Sequence, residues 1–229
     1  MCGRFVQAID PQGYADFFDA AFSISVPLSP SWNVAPTDQV YAVAEHDGER
    51  RLGTFRWGLV PWFAKEIKVG ARHINARAET VATTAAFKHS FRSRRCIVPA
   101  DGFYEWEPRE TGGKLPHYVH YRDGSPLALA GLWGSWRSPE GERVTSCTIV
   151  TTTPNDLVAP IHDRMPVVLP RDHWGVWLDR DLDDVDELRG LLRPAAAGLL
   201  TEYPVSTLVN KVDNNYPDCI APLDATTGD

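Results

Sequence analysis

Residues 95–106 read Arg95-Cys96-Ile97-Val98-Pro99-Ala100-Asp101-Gly102-Phe103-Tyr104-Glu105-Trp106. The run Cys96–Pro99 is short, apolar and bounded by polar residues, which predicts a buried strand. Asp101 and Glu105 then interrupt a stretch that would be apolar if it served packing alone. The segment therefore predicts a β-rich core and marks one place where polar chemistry could reach it.

Similar apolar runs recur along the chain at modest spacing, and turn residues separate several of them. They are Val40–Ala44, Leu52–Trp57, His117–Tyr121, Leu127–Trp133, Thr145–Thr151 and Met165–Leu169. Helical patterns are fewer: Pro11–Phe22, Glu79–Phe91, Thr153–Ile161, Arg171–Leu178 and Asp183–Leu192. Because the strands do not alternate with helices as βαβ units, we predict an α+β fold. We expect a single domain over residues 1–229, with a curved antiparallel sheet or barrel-like β core, peripheral helices and a flexible C-terminus from about residue 224.

Composition indicates an ordinary globular protein, with 43% hydrophobic and 23% charged residues in a chain of 229. No apolar run approaches the roughly 18 residues of a membrane helix, and the first ten residues lack a secretory signal. The four cysteines show no CxxC pairing, which favours a reducing, cytoplasmic setting. We expect no membrane partner.

Charge is unevenly distributed along the chain. The net charge of −7 argues against a nucleic-acid partner at first sight. From Lys65 to Arg95, however, there are eight Lys or Arg and only two acids. A basic tract on an acidic body can form an anion-binding face, although a solvated helix face would give the same pattern.

Cys2 directly follows the initiator Met1, and a small second residue normally permits removal of Met1. Removal would leave a cysteine with a free α-amine beside its thiol. Such a 1,2-aminothiol can condense with an aldehyde to an imine, and its thiol can then close a thiazolidine ring. The alternative is an ordinary thiol on a frayed terminus.

Three further strings place polar residues where a segment that served packing alone would be apolar. They are Asn33-Val34-Ala35-Pro36-Thr37, Ile74-Asn75-Ala76-Arg77-Ala78-Glu79 and Ile161-His162-Asp163-Arg164-Met165-Pro166. Each is weak alone, since Glu105 and His162 taken singly are more often structural than catalytic.

Together with Cys2 these strings resemble the SOS response-associated peptidase (SRAP) family. Further matches are Met1–Phe5, Trp57–Pro61, Arg95–Trp106, Ile149–Thr152 and Val209–Val212, so the resemblance covers nearly the whole chain in order. It implies the SRAP fold, consistent with the α+β prediction. It also implies a DNA-damage response protein that crosslinks covalently to abasic sites in single-stranded DNA, with autoproteolytic peptidase and lyase activity.

The resemblance assigns roles residue by residue. It implies that Cys2 is the nucleophile after Met1 is removed, and that Asn75, Glu105 and His162 complete the catalytic set. It implies that Arg77 and Arg164 contact DNA phosphates, with Arg4 as a further contact. Many relatives have an extra small residue between the proline and the aromatic of the loop after Pro61. Here Trp62 and Phe63 follow directly, so either could stack on bases or belong to the core.

The chemistry is consistent with these assignments. An abasic site opens to an aldehyde, and a carboxyl group can assist ring opening and loss of water from the carbinolamine. Glu105 suits this task if burial raises its pKa. His162 could hold or protonate the sugar oxygen near neutral pH, and Asn75 can form hydrogen bonds without titrating.

We expect no cofactor and no metal, because no Cys/His cluster has zinc-like spacing, and His117 and His120 would point to opposite faces of a strand. We expect a monomer that is cytoplasmic and becomes nucleoid-associated on DNA damage. Two other functions remain open at this point. One is an N-terminal-nucleophile cysteine peptidase or amidase, with Glu105 or His162 as base. The other is a non-covalent reader of modified or single-stranded DNA that uses the Lys65–Arg95 tract.

Overall fold

Two β structures share one core in the computed structural model of the protein, which describes residues 2–22, 24–110 and 112–223. The strands of these ranges are β1 (Arg4–Gln7), β2 (Ala21–Phe22), β3 (Ser31–Val34), β4 (Gln39–His46), β5 (Glu49–Trp57), β6 (Asn75–Arg77), β7 (Arg95–Ala100), β8 (Gly102–Pro108), β9 (Lys114–Tyr121), β10 (Leu127–Arg137), β11 (Arg143–Thr152), β12 (Met165–Pro166) and β13 (Leu200–Pro204). The helices are α1 (Pro11–Phe17), α2 (Lys88–Ser93), α3 (Trp174–Leu178) and α4 (Val185–Gly190), with short 3-10 turns between them. None of the helices in these ranges is long and apolar enough to cross a membrane.

Five strands close into a mixed barrel in the order β4-β5-β11-β10-β7. Four of the pairings are antiparallel, and the closing pair, β5 with β11, is parallel, with Cys147 opposite Trp57. Closure removes the exposed strand edges that an open sheet would present. The structure confirms the predicted α+β fold with a barrel-like β core.

A second, open sheet has the order β13-β9-β8-β1-β3 and is antiparallel throughout. Its inner face packs on the barrel: Phe5 and Phe103 share one buried cluster with Trp57, and the Phe5 and Trp57 rings lie 4.8 Å apart. This sheet carries the N-terminal strand β1 beside β8, the strand that contains Glu105.

The helices cover another part of the barrel. Tyr14 and Phe18 at α1 pack in one buried cluster with Trp174 and Trp177 of α3. The Asp10 side chain caps α1 by accepting from the Gly13 amide, which satisfies one of the free donors at the helix start. The helices are peripheral, as predicted, and they are shorter than the sequence pattern indicated.

Three of the predicted helices differ clearly from the structure. The helix predicted over Pro11–Phe22 ends at Phe17, and Ala21–Phe22 forms strand β2 instead. Helix α2 begins at Lys88, because Thr83 and Thr84 turn their hydroxyls onto the Thr80 carbonyl and residues 79–87 form turns instead. No helix forms over Thr153–Ile161, where the Asn155 side chain accepts from the Val158 amide and closes isolated turns. The predicted strand Met165–Leu169 is regular only at β12. The predicted flexible C-terminus from about residue 224 lies outside the described residues.

Arg95, the last residue of the basic tract Lys65–Arg95, is not exposed. Its side chain is only 2% exposed. Every hydrogen bond recorded for its guanidinium goes to a backbone carbonyl, namely those of Phe91, Arg92, Trp177, Asp179 and Leu182. Burial lowers its pKa to about 10, so it stays charged at neutral pH. Arg95 therefore ties α2, α3 and the segment after α3 to the barrel strand β7.

Candidate functional site

Cys2 lies inside the fold. Strand β1 pairs with β8 through Arg4 opposite Tyr104 and Phe5 opposite Phe103, which leads the residues before β1 toward Glu105. Cys2 is completely buried, and its carbonyl accepts a 2.8 Å hydrogen bond from Asn75 Nδ2. The backbone at Cys2 is therefore held from the barrel side as well as by its own strand, in contrast to the frayed end considered above.

Glu105 is the buried carboxyl group of this site, only 1% exposed. Burial raises its pKa to about 7, because a charged carboxylate loses its hydration in an apolar environment. Burial also raises the pKa of the Cys2 thiol, and the negative charge of Glu105 adds to that shift. Near neutral pH the site therefore contains a carboxyl group that can both give and take a proton, beside a thiol that stays protonated.

His162 faces Glu105, with its Nε2 atom 3.9 Å from Glu105 Oε2. Its Nδ1 atom lies 3.0 Å from the Arg164 amide, which can only donate, and 2.9 Å from the Asp163 carboxylate, which can only accept. The first contact favours a proton on Nε2 and the second a proton on Nδ1. Partial burial lowers the pKa of His162. In the tautomer that the Arg164 amide favours, the imidazole presents its Nε2–H toward Glu105.

Asn75 joins the barrel to the N-terminus. Strand β6, which carries it, pairs in parallel with β11, with Asn75 opposite Ile149 and Arg77 opposite Thr151. While Asn75 Nδ2 holds the Cys2 carbonyl, the buried Oδ1 atom has no hydrogen-bond partner in the described ranges. An unsatisfied buried acceptor is rare and costs roughly 1–3 kcal/mol, which is typical of a position that a ligand fills.

An open cleft of about 650 Å³ adjoins this site and is lined by Arg77, Glu79, Thr80, His162, Asp163 and Arg164. Arg77 is exposed and, two residues from Asn75 on β6, points to the same face of that strand. Arg164 is mostly buried and binds the Glu79 carboxylate through two nitrogens, at 2.6 and 3.0 Å, and the Thr151 carbonyl at 2.6 Å. Glu79 therefore fixes the plane of the Arg164 guanidinium at the cleft wall.

The structure does not bring Arg4 into this cleft. Arg4 pairs with Tyr104, the residue before Glu105, and so lies on the opposite face of the sheet. Its Nη1 atom donates to Asn33 Oδ1 at 2.9 Å and to the Val209 carbonyl at 2.8 Å. Asn33 Nδ2 in turn lies within hydrogen-bond distance of three carbonyls between residues 209 and 214. The Asn33 string and the Val209–Val212 match thus form one structural unit.

Trp62 and Phe63 are both exposed, 73% and 49%, and their rings meet edge to face at 5.6 Å. They belong to the surface and not to the core. The loop that presents them begins at Gly58, whose φ of +120° and close approach to the Gly70 carbonyl leave no room for a side chain. Trp136 fixes its other end by donating to the Ala64 carbonyl at 2.8 Å.

Sequence reasoning gave no role to Glu79 or Asn33, although both lie in strings that it singled out. The sequence did contain a signal for Glu79. A carboxylate two residues after Arg77, in the same polar string, is a natural partner for an arginine. His117 lies between Glu107 and Glu202, bonded to one through each ring nitrogen. No group of three or more His, Cys, Asp or Glu residues within residues 2–22, 24–110 and 112–223 is arranged to hold a metal ion.

The fold and this site define an α+β barrel protein with a buried cysteine at position 2 beside a glutamate and a histidine. Residues 1–212 match the model of the SOS response associated peptidase (SRAP) family, and the chain belongs to that family.

Relatives that cover nearly the full chain are known from bacteria. One is the abasic site processing protein YoqW of Bacillus subtilis, 40% identical over 96% of this chain and 99% of its own length. Another is the abasic site processing protein YedK of Escherichia coli, 31% identical over 97% and 100%. A solved protein from Bordetella bronchiseptica has a TM-score of 0.76 at 29% identity, covering 90% of this chain and all of its own. A protein from Bacteroides thetaiotaomicron shares the fold, with a TM-score of 0.88 at 23% identity over 97% and 100% of the two chains.

Proposed function

We propose that this protein captures abasic sites in single-stranded DNA by forming a thiazolidine between the deoxyribose aldehyde and Cys2, after removal of Met1. The observation that carries the proposal is the position of Cys2: it is buried, held through its carbonyl by Asn75, and close enough to Glu105 for that carboxylate to raise the pKa of the thiol. Relatives at 31–41% identity are named abasic site processing proteins, which supports the same activity here.

The reaction needs a proton donor and a proton acceptor in turn. The Cys2 amine attacks the open aldehyde carbon and forms a carbinolamine, whose hydroxyl leaves as water when Glu105 supplies a proton. The thiol then adds to the imine carbon, and its proton passes to the ring nitrogen. Aldehyde and aminothiol thus become thiazolidine and water, with no oxidant or reductant. A carboxyl group whose pKa lies near 7 suits both proton transfers.

His162 and Asn75 orient the sugar in this proposal. The Nε2–H of neutral His162 points toward Glu105 and can donate to the sugar oxygen as the ring opens. The buried Oδ1 of Asn75 can accept from the Cys2 amine or from a sugar hydroxyl. Neither role requires a metal or a cofactor.

Single-stranded DNA fits the surface beside the site. The guanidinium groups of Arg77 and Arg164 at the cleft can contact phosphates on either side of the lesion, since arginine binds phosphate well. The exposed Trp62 and Phe63 supply faces on which bases can stack. Backbone contacts of this kind make binding independent of sequence and sensitive to salt. We infer that Arg4 supports the adjoining loop through Asn33 and makes no phosphate contact.

Self-processing is a second activity that the site favours. A carboxyl group with a pKa near 7 beside Cys2 could act as the base when Cys2 attacks the carbonyl of the preceding residue. That attack would transfer the Met1 acyl group from the Cys2 nitrogen to its sulfur, and hydrolysis of the resulting thioester by water would release Met1 with the Cys2 amine and thiol both free. Such a reaction accounts for the peptidase in the family name. An imine that fails to close its ring could instead lose its C2′ proton to a carboxylate such as Glu105 and expel the 3′ phosphate, which would be a lyase activity. We propose that the protein is a monomer. Both reactions would take place in the cytoplasm, at sites of DNA damage.

Intact-mass spectrometry with a single-stranded abasic oligonucleotide tests the proposal. The expected product is protein lacking Met1 plus the oligonucleotide, less one water, and it should resist SDS. Cys2→Ala should abolish the product, whereas Cys219→Ala, a change at another buried free cysteine, should not. A normal yield of stable adduct from the Cys2→Ala protein would overturn the proposal. Retention of Met1 in Glu105→Ala protein would support self-processing, and its efficient loss would assign removal to a cellular aminopeptidase.

A further inference from the structure

A groove lies at the end of β9, roughly four residues or about 13 Å along the strand from His117, the cross-strand neighbour of Glu105. Two adjoining cavities of about 360 and 200 Å³ share Tyr121, Pro170 and Leu199 and so form one continuous depression. We call it the β9 groove, and its walls include Tyr121, Arg122, Asp123, Arg171, Arg193 and Leu199. None of these residues belongs to the site around Cys2.

The floor of the β9 groove is apolar. Val168 and Leu191 line its narrower half, together with Ala195. Leu199, which lines both halves, is 51% exposed. An apolar side chain of that size left half in water beside a concave apolar surface is typical of a place where another molecule binds.

The rim of the β9 groove is basic. Arg171 is paired, with Asp19 at 3.1 Å and the Trp174 ring 5.4 Å from its guanidinium carbon. Arg122 donates through Nε to the neutral Gly198 carbonyl at 3.1 Å. In the part of the chain that the structure describes, neither Arg122 nor Arg193 has a carboxylate within 4 Å. The exposed Asp123 carboxylate also lines the wider half, where it accepts from Ser125. Two arginines without a salt bridge therefore face one carboxylate around an apolar floor, on a protein whose net charge is −7.

His173 adds a polar group to the same wall. It lines the narrower cavity, and its buried Nδ1 atom has no hydrogen-bond partner among the described residues. Such an atom can accept from, or donate to, a ligand that enters the groove.

We propose that the β9 groove binds an acidic peptide segment of a partner protein. Carboxylates of the segment would pair with Arg122 and Arg193, and an apolar side chain between them would cover Leu199 and the floor. Nucleic acid fits this surface less well, because its floor is aliphatic and Tyr121, its one aromatic wall residue, is half buried. The inference does not rest on the proposed abasic-site chemistry, since it uses a different surface and different residues.

Fluorescence anisotropy tests it with a short labelled peptide that alternates aspartate with leucine. The matched peptides replace aspartate with lysine or leucine with serine. We expect saturable binding of the first peptide only, weakened by salt. The protein with Arg122→Glu and Arg193→Glu should bind it about tenfold or more weakly. Arg137→Glu changes charge at an exposed position at the end of β10 and should leave binding unchanged.

The crosslinking assay on the same variants separates the two proposals, because Arg122→Glu and Arg193→Glu should leave adduct yield unchanged. Equal affinity of the double variant and the unchanged protein for the acidic peptide would overturn the groove proposal, as would the absence of saturable binding. Competition by an unmodified oligonucleotide would assign the groove to nucleic acid. If light scattering showed a dimer of the unchanged protein and a monomer of the double variant, the groove would be assigned to a second copy of this chain. Either result would also overturn the proposal.

Discussion

A carboxyl group in water titrates near pH 4, so an exposed Glu105 would hold almost no proton to donate at neutral pH. Its burial between the open sheet and the barrel changes that, because the pKa rises to about 7. We therefore predict that Glu105→Gln lowers the rate of thiazolidine formation by about 10²- to 10⁴-fold, the usual contribution of general acid–base catalysis. Single-turnover crosslinking measures it, with Glu142→Gln, an exposed change on the β10–β11 turn, as control. A rate within about twofold of the unchanged protein would contradict the assignment of Glu105 as proton donor.

The same raised pKa predicts how stability varies with pH. A buried acid whose pKa is higher in the folded than in the unfolded state binds more protons when folded, so stability falls as pH rises between the two values. For Glu105 the window runs from about 4.5 to about 7, and the loss is on the order of 3 kcal/mol. Glu105→Gln should therefore unfold at higher denaturant than the unchanged protein at pH 8 and show little advantage at pH 4. An equal difference at both pH values would exclude this origin.

Sequence alone indicated the members of the site but not their protonation or their partners. Cys2, Asn75, Glu105 and His162 were singled out from polar residues in apolar surroundings and from the family resemblance. The pKa of Glu105 depends on strands 100 residues apart in the chain, and no local pattern reports that burial. Arg4 shows the limit most clearly. The family resemblance implied that Arg4 contacts DNA, whereas the strand register places it on the face of the sheet away from Glu105, against Asn33.

At the scale of elements, the strands were easier to predict than the helices. Alternating and apolar runs identified the barrel strands, whose burial is dictated by their own residues. Strand β1 was missed because its four residues gain their partners only from β3 and β8. The helix predicted over Glu79–Phe91 was too long at its start, since the hydroxyls of Thr83 and Thr84 offer the Thr80 carbonyl competing hydrogen bonds.

The loop between β5 and the next 3-10 turn permits a test at this scale. Trp62 is 73% exposed, so its removal should cost little stability. If it stacks on bases, Trp62→Ala should weaken binding to single-stranded DNA by roughly 1–3 kcal/mol, about five- to hundredfold, while Trp62→Phe should keep most of the affinity. Anisotropy with an unmodified oligonucleotide measures both variants, and Phe63→Ala shows which ring dominates. Unchanged affinity in both alanine variants would show that the loop is not a stacking platform.

At the scale of the whole molecule, a buried arginine joins the barrel and the helices. No sequence pattern would place such a charged side chain in a core. Arg95 reads as the last member of a basic tract, yet it is buried and donates to the carbonyls of Phe91 and Trp177 among others. Carbonyls at the ends of short helices lack partners within the helix, and a guanidinium with five donors satisfies several at once. The cost of burying the charge is offset by those bonds together with nearby Asp179 and Asp183.

Arg95→Met should therefore destabilise the protein by about 3 kcal/mol or more, because it removes the donors and leaves several buried carbonyls unsatisfied. In a chain of this length that corresponds to a fall in Tm of roughly 6–12 °C. The control is Arg94→Met, one residue earlier, where the side chain only stacks over Trp133 at 5.4 Å and the loss should be about 1 kcal/mol or less. Thermal unfolding followed by circular dichroism measures both. Equal losses in the two variants would mean that the carbonyl bonds contribute nothing beyond packing, and that the helices are held to the barrel by their buried aromatic rings alone.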